Sequence, residues 1–194
     1  MNVASSPIFL NSAGNVQAAM TGGIRLLYST QLPVINQISG TDVVVKSIYA
    51  GVPREESYAS LSSDSLVLFA DANTPITITG DITKLSIQYD TDITKLKCSN
   101  TALKALDCSG CTGLTSLDLS TNTALNELSC SLLDSITEIK TIATNEDVAT
   151  AIAGAITGAN ADDGKVYVSS DDTYYSTVAD AAVAKGWTVE APAA

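Results

Sequence analysis

One spacing of apolar residues dominates the chain between residues 82 and 139. The unit is apolar-x-x-apolar-x-apolar, and it recurs every 10 or 11 residues. Its first position falls at Ile82, Ile93, Leu103, Leu114, Leu125 and Ile136, its second at Leu85, Leu96, Leu106, Leu117, Leu128 and Ile139, and its third at Ile87, Cys98, Cys108, Leu119 and Cys130. Such a fixed period indicates a repeat architecture, in which each unit buries its apolar face against the next.

The units predict short strands stacked in coils. The last three positions of each unit point inward, outward and inward, which is the pattern of a β-strand. A helix is excluded because spacings of 3 and 2 residues do not follow a 3.6-residue period. Two units make a coil of 21 or 22 residues, and neighbouring coils stack about 4.8 Å apart. We therefore predict a short β-solenoid of about three coils within residues 61–141.

The same stacking aligns polar residues on the outside of the coils. One predicted column contains Lys97, Asp118 and Lys140, and a parallel column contains Thr94, Thr115 and Thr137. Opposite charges on neighbouring strands stabilise each other by roughly 0.2–1 kcal/mol per pair. We interpret the columns first as a solvated, self-complementary face and second as a binding face. No aromatic cluster accompanies them, and aromatic side chains are the usual anchors of protein recognition.

The four cysteines admit three interpretations. Cys108-x-x-Cys111, with Cys98 and Cys130, has the residue types of a four-thiolate zinc site. Cys108 and Cys130 fall on successive coils, where a disulfide is geometrically feasible. The interpretation we favour is that of packed thiols, because three of the cysteines take the inward third position that Ile87 and Leu119 take in other units. We therefore assign no metal and no cofactor.

The segment after the repeat changes to helical spacing. Residues 144–147 (TNED) form a capping-box-like start, followed by an apolar face at Val148, Ile152, Ala155 and Ile156 and an end at Gly158. A strand over 165–168 and a second helix follow, with a face at Tyr175, Val178, Ala179, Ala182 and Val183, a C-cap at Gly186, and a strand from Trp187. The pairs Asp162-Asp163 and Asp171-Asp172 are assigned to turns and N-caps rather than to catalysis.

The segment before the repeat is polar and punctuated by Pro7, Pro33 and Pro53. We predict an extended arm with a small β element there, which anchors the protein or mediates its oligomerisation. The predicted domains are therefore an arm over 1–60, a repeat with lead-in strands over 61–141, and an αβαβ C-terminal cap over 142–194. The predicted fold class is α+β.

Charge and composition exclude several functions. Ten basic and 21 acidic residues leave a net charge of −11, which disfavours binding to nucleic acid and to anionic membranes. The chain contains no histidine, and this removes the Ser-His-Asp, Cys-His and histidine–metal centres. The first basic residue is Arg25, and no basic start with a long apolar run precedes it. We expect a protein that is not an enzyme and is not exported by the usual secretory route.

Residues 103–128 (LKALDCSGCTGLTSLDLSTNTALNEL) resemble leucine-rich repeats of the short type found in gut-dwelling anaerobic bacteria and their phages. Leu114, Leu117, Leu119, Asn122 and Leu125 fit one copy, with one extra residue before Leu125, and Cys111 takes the Asn/Cys place of the preceding unit. The resemblance covers about 60 of the 194 residues strictly. It implies a leucine-rich-repeat solenoid whose Cys111 side chain turns toward backbone groups of the turn.

The resemblance also implies a function. Comparable repeat domains occur as phage head fibres or capsid decorations, so we expect a structural component of a virion, assembled in the cytoplasm of a bacterial host. Its expected partner is a capsid or other virion protein, contacted through the N-terminal arm, and the chain is a possible homo-oligomer. The alternative is an adhesion or binding protein that is secreted or displayed on a bacterial cell surface.

Overall fold

The computed structural model describes residues 23–28, 34–100, 102–157 and 163–192. These residues form eleven strands and two helices. The strands are β1 (Ile24–Tyr28), β2 (Val34–Tyr49), β3 (Val52–Val67), β4 (Pro75–Ser86), β5 (Ile93–Cys98), β6 (Ala105–Asp107), β7 (Ser116–Asp118), β8 (Glu127–Ser129), β9 (Glu138–Lys140), β10 (Lys165–Tyr167) and β11 (Thr188–Glu190), and the helices are α1 (Glu146–Ala155) and α2 (Tyr175–Ala184).

All eleven strands belong to one mixed sheet. Nine of them run in the order β11-β10-β9-β7-β5-β1-β4-β2-β3, while β6 pairs with β4 and β8 pairs with β6. The β5-β7-β9-β10-β11 and β4-β6-β8 stacks are parallel, whereas β1, β2 and β3 pair in the antiparallel sense. The sheet therefore joins a parallel half, made of the repeat strands with β10 and β11, to an antiparallel half made of β1 and the long β2–β3 hairpin.

The register of the parallel strands follows the 21- or 22-residue spacing. Leu96 pairs with Leu117 and Leu117 with Ile139, while Leu85 pairs with Leu106 and Leu106 with Leu128. Leu117 and Ile139 are completely buried. The predicted alignment of these apolar residues is confirmed at the level of strand pairing.

The predicted fold class is wrong. The chain is not an α+β leucine-rich-repeat solenoid with an αβαβ cap, because the described residues form a mainly β structure in which the repeat strands are part of one mixed sheet. The period of the repeat reports only how neighbouring units stack. It carries no information on β1, β2 and β3, which extend the same sheet through antiparallel pairs between residues distant in the chain.

The predicted extended arm is also corrected by this sheet. β1 lies between β4 and β5 and is antiparallel to both, with Ile24 and Leu26 buried in the core. Residues 34–60 belong to the long strands β2 and β3, in place of the predicted arm with a small β element. Residues 1–22 and Pro33 lie outside the described residues. The predicted boundary at residue 60 falls inside β3 and the one at 141 follows β9; the division into three domains stays a prediction.

The C-terminal elements match the sequence pattern with three exceptions. Asn145 caps α1, because its side chain accepts a hydrogen bond from the Val148 backbone amide at 3.1 Å. The predicted faces of both helices are buried except at Tyr175, which is half-buried, and at Val183, which is 68% exposed. The predicted N-cap role of the Asp171-Asp172 pair is wrong, since the N-cap of α2 is Tyr174 and its side chain makes no capping bond. The predicted helix end at Gly158 lies outside the described residues.

Candidate binding face

Two rows of side chains cross the sheet on the side opposite the core. The strand registers place in one row Glu55, Lys46, Thr77, Arg25, Lys97, Asp118, Lys140, Tyr167 and Glu190, and in the other Pro75, Leu27, Lys95, Ser116, Glu138, Lys165 and Thr188. Alternate residues along a strand point to opposite sides of a sheet, and the residues between the rows, such as Leu26, Leu96 and Leu117, are buried. We call these two rows the outer face.

The outer face concentrates positive charge on an acidic chain. It carries six of the ten basic residues but only four of the 21 acidic ones. The basic residues are Arg25, Lys46, Lys95, Lys97, Lys140 and Lys165, and the acidic ones are Glu55, Asp118, Glu138 and Glu190. The remainder of the chain therefore holds an acidic excess larger than the net charge of −11, so the molecule is electrically two-sided.

Ion pairs neutralise four of the six basic residues of the outer face and leave two in its middle. Lys46 pairs with Glu55 at 3.1 Å, Lys140 with Glu138 at 3.2 Å, and Lys165 with Glu190 at 3.1 Å. Lys97 Nζ lies 2.6 Å from Asp118 Oδ2. Within the described part of the chain, Arg25 and Lys95 form no ion pair.

The predicted Lys97–Asp118–Lys140 column is present in the strand register, but only one of its two contacts forms. Burial alone would raise the pKa of Asp118, yet hydrogen bonds from Lys97 and Ser120 outweigh it and hold the pKa below the usual aspartate value. Lys140 turns instead to Glu138, which raises the lysine pKa through their hydrogen bond, and its Nζ lies 5.2 Å from the centre of the Tyr167 ring. The column is therefore locally paired rather than a continuous ladder.

The threonine column has a structural role. Each hydroxyl donates to a backbone carbonyl of the preceding strand segment: Thr94 to Leu27 at 3.1 Å, Thr115 to Thr94 at 2.9 Å, and Thr137 to Thr115 at 3.2 Å. The Thr94 and Thr115 carbonyls also accept backbone amide hydrogen bonds from Thr115 and Thr137, so the hydroxyls add a second donor to each of these links between coils. The hydroxyls are thus used within the protein.

A pocket of about 320 Å³ opens in the middle of the outer face. It is lined by Arg25, Leu26, Leu27, Pro75, Lys95 and Lys97. Pro75 begins β4, after a loop in which the Asp71 carboxylate accepts hydrogen bonds from the Ala50 and Gly51 amides of the β2–β3 turn at 2.8 and 2.9 Å. The loop and the hairpin turn therefore hold one another, and this connection supports the apolar wall of the pocket.

Sequence reasoning missed this pocket. Lys95 and Lys97 alternate with Leu96, which places both on one face of a strand, and the sequence shows this. Arg25 joins them only because β1 pairs with β5, where Arg25 lies opposite Lys97 and Leu27 lies opposite Lys95. No local pattern in the chain signals a pairing between segments some 70 residues apart.

The cysteines are all buried and free in the structure, so the favoured interpretation as packed thiols is confirmed as far as burial is concerned. The Cys111 thiol donates to the Ile87 carbonyl at 3.1 Å, as the resemblance implied, and the Cys130 thiol donates to the Ala151 carbonyl at 3.3 Å. Burial raises the pKa of Cys98 and Cys108 well above the usual value and that of Cys111 and Cys130 to about 12. Thiols with such pKa values are protonated and weakly nucleophilic at neutral pH.

One carboxylate of the two acidic pairs bonds the backbone. The Asp172 carboxylate accepts a hydrogen bond from the Ala143 amide at 2.9 Å. This bond connects the loop before α2 to the segment between β9 and α1. Asp162 lies outside the described residues. Among residues 23–28, 34–100, 102–157 and 163–192, no group of three or more cysteine, aspartate or glutamate side chains is placed to hold a metal ion.

Comparisons with known proteins leave the chain without a family assignment. No protein-family model, curated protein or solved structure matches it. The resemblance of residues 103–128 to leucine-rich repeats stays a prediction. Neither helix of the described segments is both long enough and apolar enough to cross a membrane.

Proposed function

We propose that this chain is a non-enzymatic structural protein that attaches to a partner protein through its outer face, and that it serves as a virion component such as a head fibre or capsid decoration. The observation that carries the attachment is the charge distribution: the basic residues gather on a broad strand face while the rest of the chain is strongly acidic.

The shape of the outer face suits a protein partner. Nine strands at about 4.8 Å spacing make a face roughly 40 Å wide, which is comparable to the footprint of a standard protein interface. The ion pairs at both ends are exposed, with side-chain exposures between 27% and 49%. Exposed pairs contribute little to folding stability, so their charges remain available to set the orientation and the encounter rate of a charged partner.

The virion assignment rests on the resemblance of residues 103–128 to repeats carried by gut phages, and an acidic exterior favours solubility when many copies are displayed together. Attachment through the N-terminal arm predicted over residues 1–60 stays a prediction.

Quantitative mass spectrometry of purified phage particles tests the assignment. We expect many copies of this chain per particle, and stripped particles should take up the purified protein again. The alternative of a bacterial surface or secreted adhesion protein would be favoured if particles hold fewer than one copy each and the chain is recovered from the bacterial envelope fraction. Light scattering on the purified chain tests whether it is a homo-oligomer.

A further inference from the structure

Three basic side chains meet at the pocket of the outer face without enough negative charge to balance them. Arg25 lies directly opposite Lys97 on the neighbouring strand, and Lys95 precedes Lys97 by two residues on the same face. Of the three, Lys97 forms an ion pair with Asp118. Like charges placed opposite one another in a sheet are destabilising, so this arrangement gives the isolated protein no structural benefit.

The nearest carboxylates of the outer face do not compensate Arg25 and Lys95. The direct neighbours of Arg25 in its row are Thr77 and Lys97, and those of Lys95 are Leu27 and Ser116. Asp118 lies two strands from Arg25, and Glu138 lies two strands from Lys95, a separation of about 10 Å that is close to one screening length at physiological salt. Asp118 is diagonal to Lys95 on the adjacent strand, but its carboxylate already forms an ion pair with Lys97. Two positive charges therefore stand uncompensated beside a concave apolar surface.

We infer that this pocket binds a glutamate or aspartate side chain from an acidic segment of the partner protein, with an apolar neighbour of that residue against Leu27 and Pro75. The inference rests on the proposed attachment function and names the chemistry of its central contact. Arginine and lysine are the natural donors to a carboxylate, and the apolar wall suits a peptide in which acidic and apolar residues alternate, as they do along a half-buried strand.

The observations favour a protein segment over a nucleic acid. A phosphate backbone carries negative charge without interruption, and any path along the row of Lys97 meets the Asp118 carboxylate one strand away. The net charge of −11 also repels an extended polyanion. A short acidic peptide needs only the uncompensated pair and the wall beside it.

Fluorescence anisotropy with the full chain tests the inference. The probe is a labelled peptide of alternating leucine and glutamate, and its counterpart carries glutamine in place of glutamate. We expect the glutamate peptide to bind in preference, more weakly as salt is raised. Arg25→Gln and Lys95→Gln should each weaken binding about twofold to fivefold, the range of exposed ion pairs. Lys104→Gln is the matched control, since Lys104 is exposed and lies before β6, away from the outer face.

A second measurement separates binding from folding. Because both substitutions relieve like-charge repulsion, we expect neither to lower the melting temperature, whereas a structural role for these residues would lower it. Three results would overturn the inference. The two peptides could bind equally, the Arg25→Gln/Lys95→Gln double variant could bind the glutamate peptide as well as the original chain, or an oligonucleotide of equal charge could bind more tightly than the peptide.

The failure of this inference is distinguishable from the failure of the proposed function. If the double variant is taken up by stripped phage particles as well as the original chain, the pocket is not the contact but the virion assignment stands. If the chain is missing from particles while the double variant still loses the glutamate peptide, the pocket stands and the virion assignment fails.

Discussion

Replacing Asp118 by asparagine tests how much of the outer-face electrostatics contributes to stability. Asp118 has the least exposed carboxylate of the four on this face, with 11% of its side chain accessible. It accepts hydrogen bonds from Lys97 Nζ at 2.6 Å, from the Ser120 hydroxyl at 2.6 Å and from the Ser120 amide at 3.1 Å. Asparagine keeps the shape and one acceptor oxygen but removes the charge.

The expected loss of folding stability in Asp118→Asn is moderate. Hydrogen bonds to charged groups are worth about 1.5–3 kcal/mol each, whereas exposed ion pairs are worth about 0–1 kcal/mol. The Lys97 side chain is 52% exposed, so its share lies toward the lower figure. We expect Asp118→Asn to lower the free energy of unfolding by about 1.5 kcal/mol at neutral pH, which corresponds to a melting temperature lower by about 3–6 °C for a chain of this size.

The pH dependence gives the sharper test. The folded-state pKa of Asp118 is lowered, so its contribution is fully present above the usual aspartate pKa of about 3.9 and is lost as pH falls through the folded-state value. The difference in unfolding free energy between the original chain and Asp118→Asn should therefore shrink below about pH 4.

Urea denaturation at a series of pH values measures both effects. Glu138→Gln is the matched control, because Glu138 lies one strand away with 38% of its side chain exposed, and we expect it to change stability by no more than about 0.5 kcal/mol. A loss for Asp118→Asn as small as that of the control, or a loss that stays constant down to acid pH, would refute this account of Asp118.

Three other changes probe the core. Leu117→Ala should lower the free energy of unfolding by about 3 kcal/mol because it opens a cavity at a fully buried position; chemical denaturation showing a loss under about 1 kcal/mol would contradict the packing. Gly164→Ala places a Cβ against the ring of Trp187, the single tryptophan, and should lower the free energy of unfolding by about 2 kcal/mol and shift the tryptophan fluorescence. Gly154→Ala is the control, because open space surrounds its Cβ, and it should be neutral or stabilising. Equal losses of unfolding free energy in the two variants would contradict the contact with Trp187. The four buried thiols should react with Ellman's reagent only after unfolding, and fast reaction in the native protein would show that they are accessible.

The spacing of apolar residues predicted the strand register but not the fold. A period of 21 or 22 residues places Leu96, Leu117 and Ile139 opposite one another whatever lies beyond the repeat. β3, by contrast, has a mostly exposed and serine-rich sequence, so its apolar residues do not alternate in a readable way. Its place in the sheet depends on pairing with β2 over sixteen residues, which tertiary context decides.

The candidate site was likewise predicted only in part from the sequence. Asp118 and Lys97 were predicted as neighbours because both belong to the repeat, and they form the shortest ion pair of the outer face. Arg25 and the pocket were not predicted, since β1 reaches its neighbours through long-range contacts. Val183 fits a helical apolar face, yet α2 leaves it exposed because nothing packs over that side of the helix in the described part of the chain.

The central position of β1 has a consequence for how the chain matures. Both of its partners, β4 and β5, come later in the sequence, so β1 leaves the ribosome well before either exists. During synthesis of the long β2–β3 hairpin, the apolar residues Ile24 and Leu26 therefore have neither of the strands that bury them in the folded protein. The antiparallel and parallel halves of the sheet are thus joined by the strand that is synthesised first among those of the described residues. We expect its late insertion to be the step at which a growing chain is most exposed to misassembly.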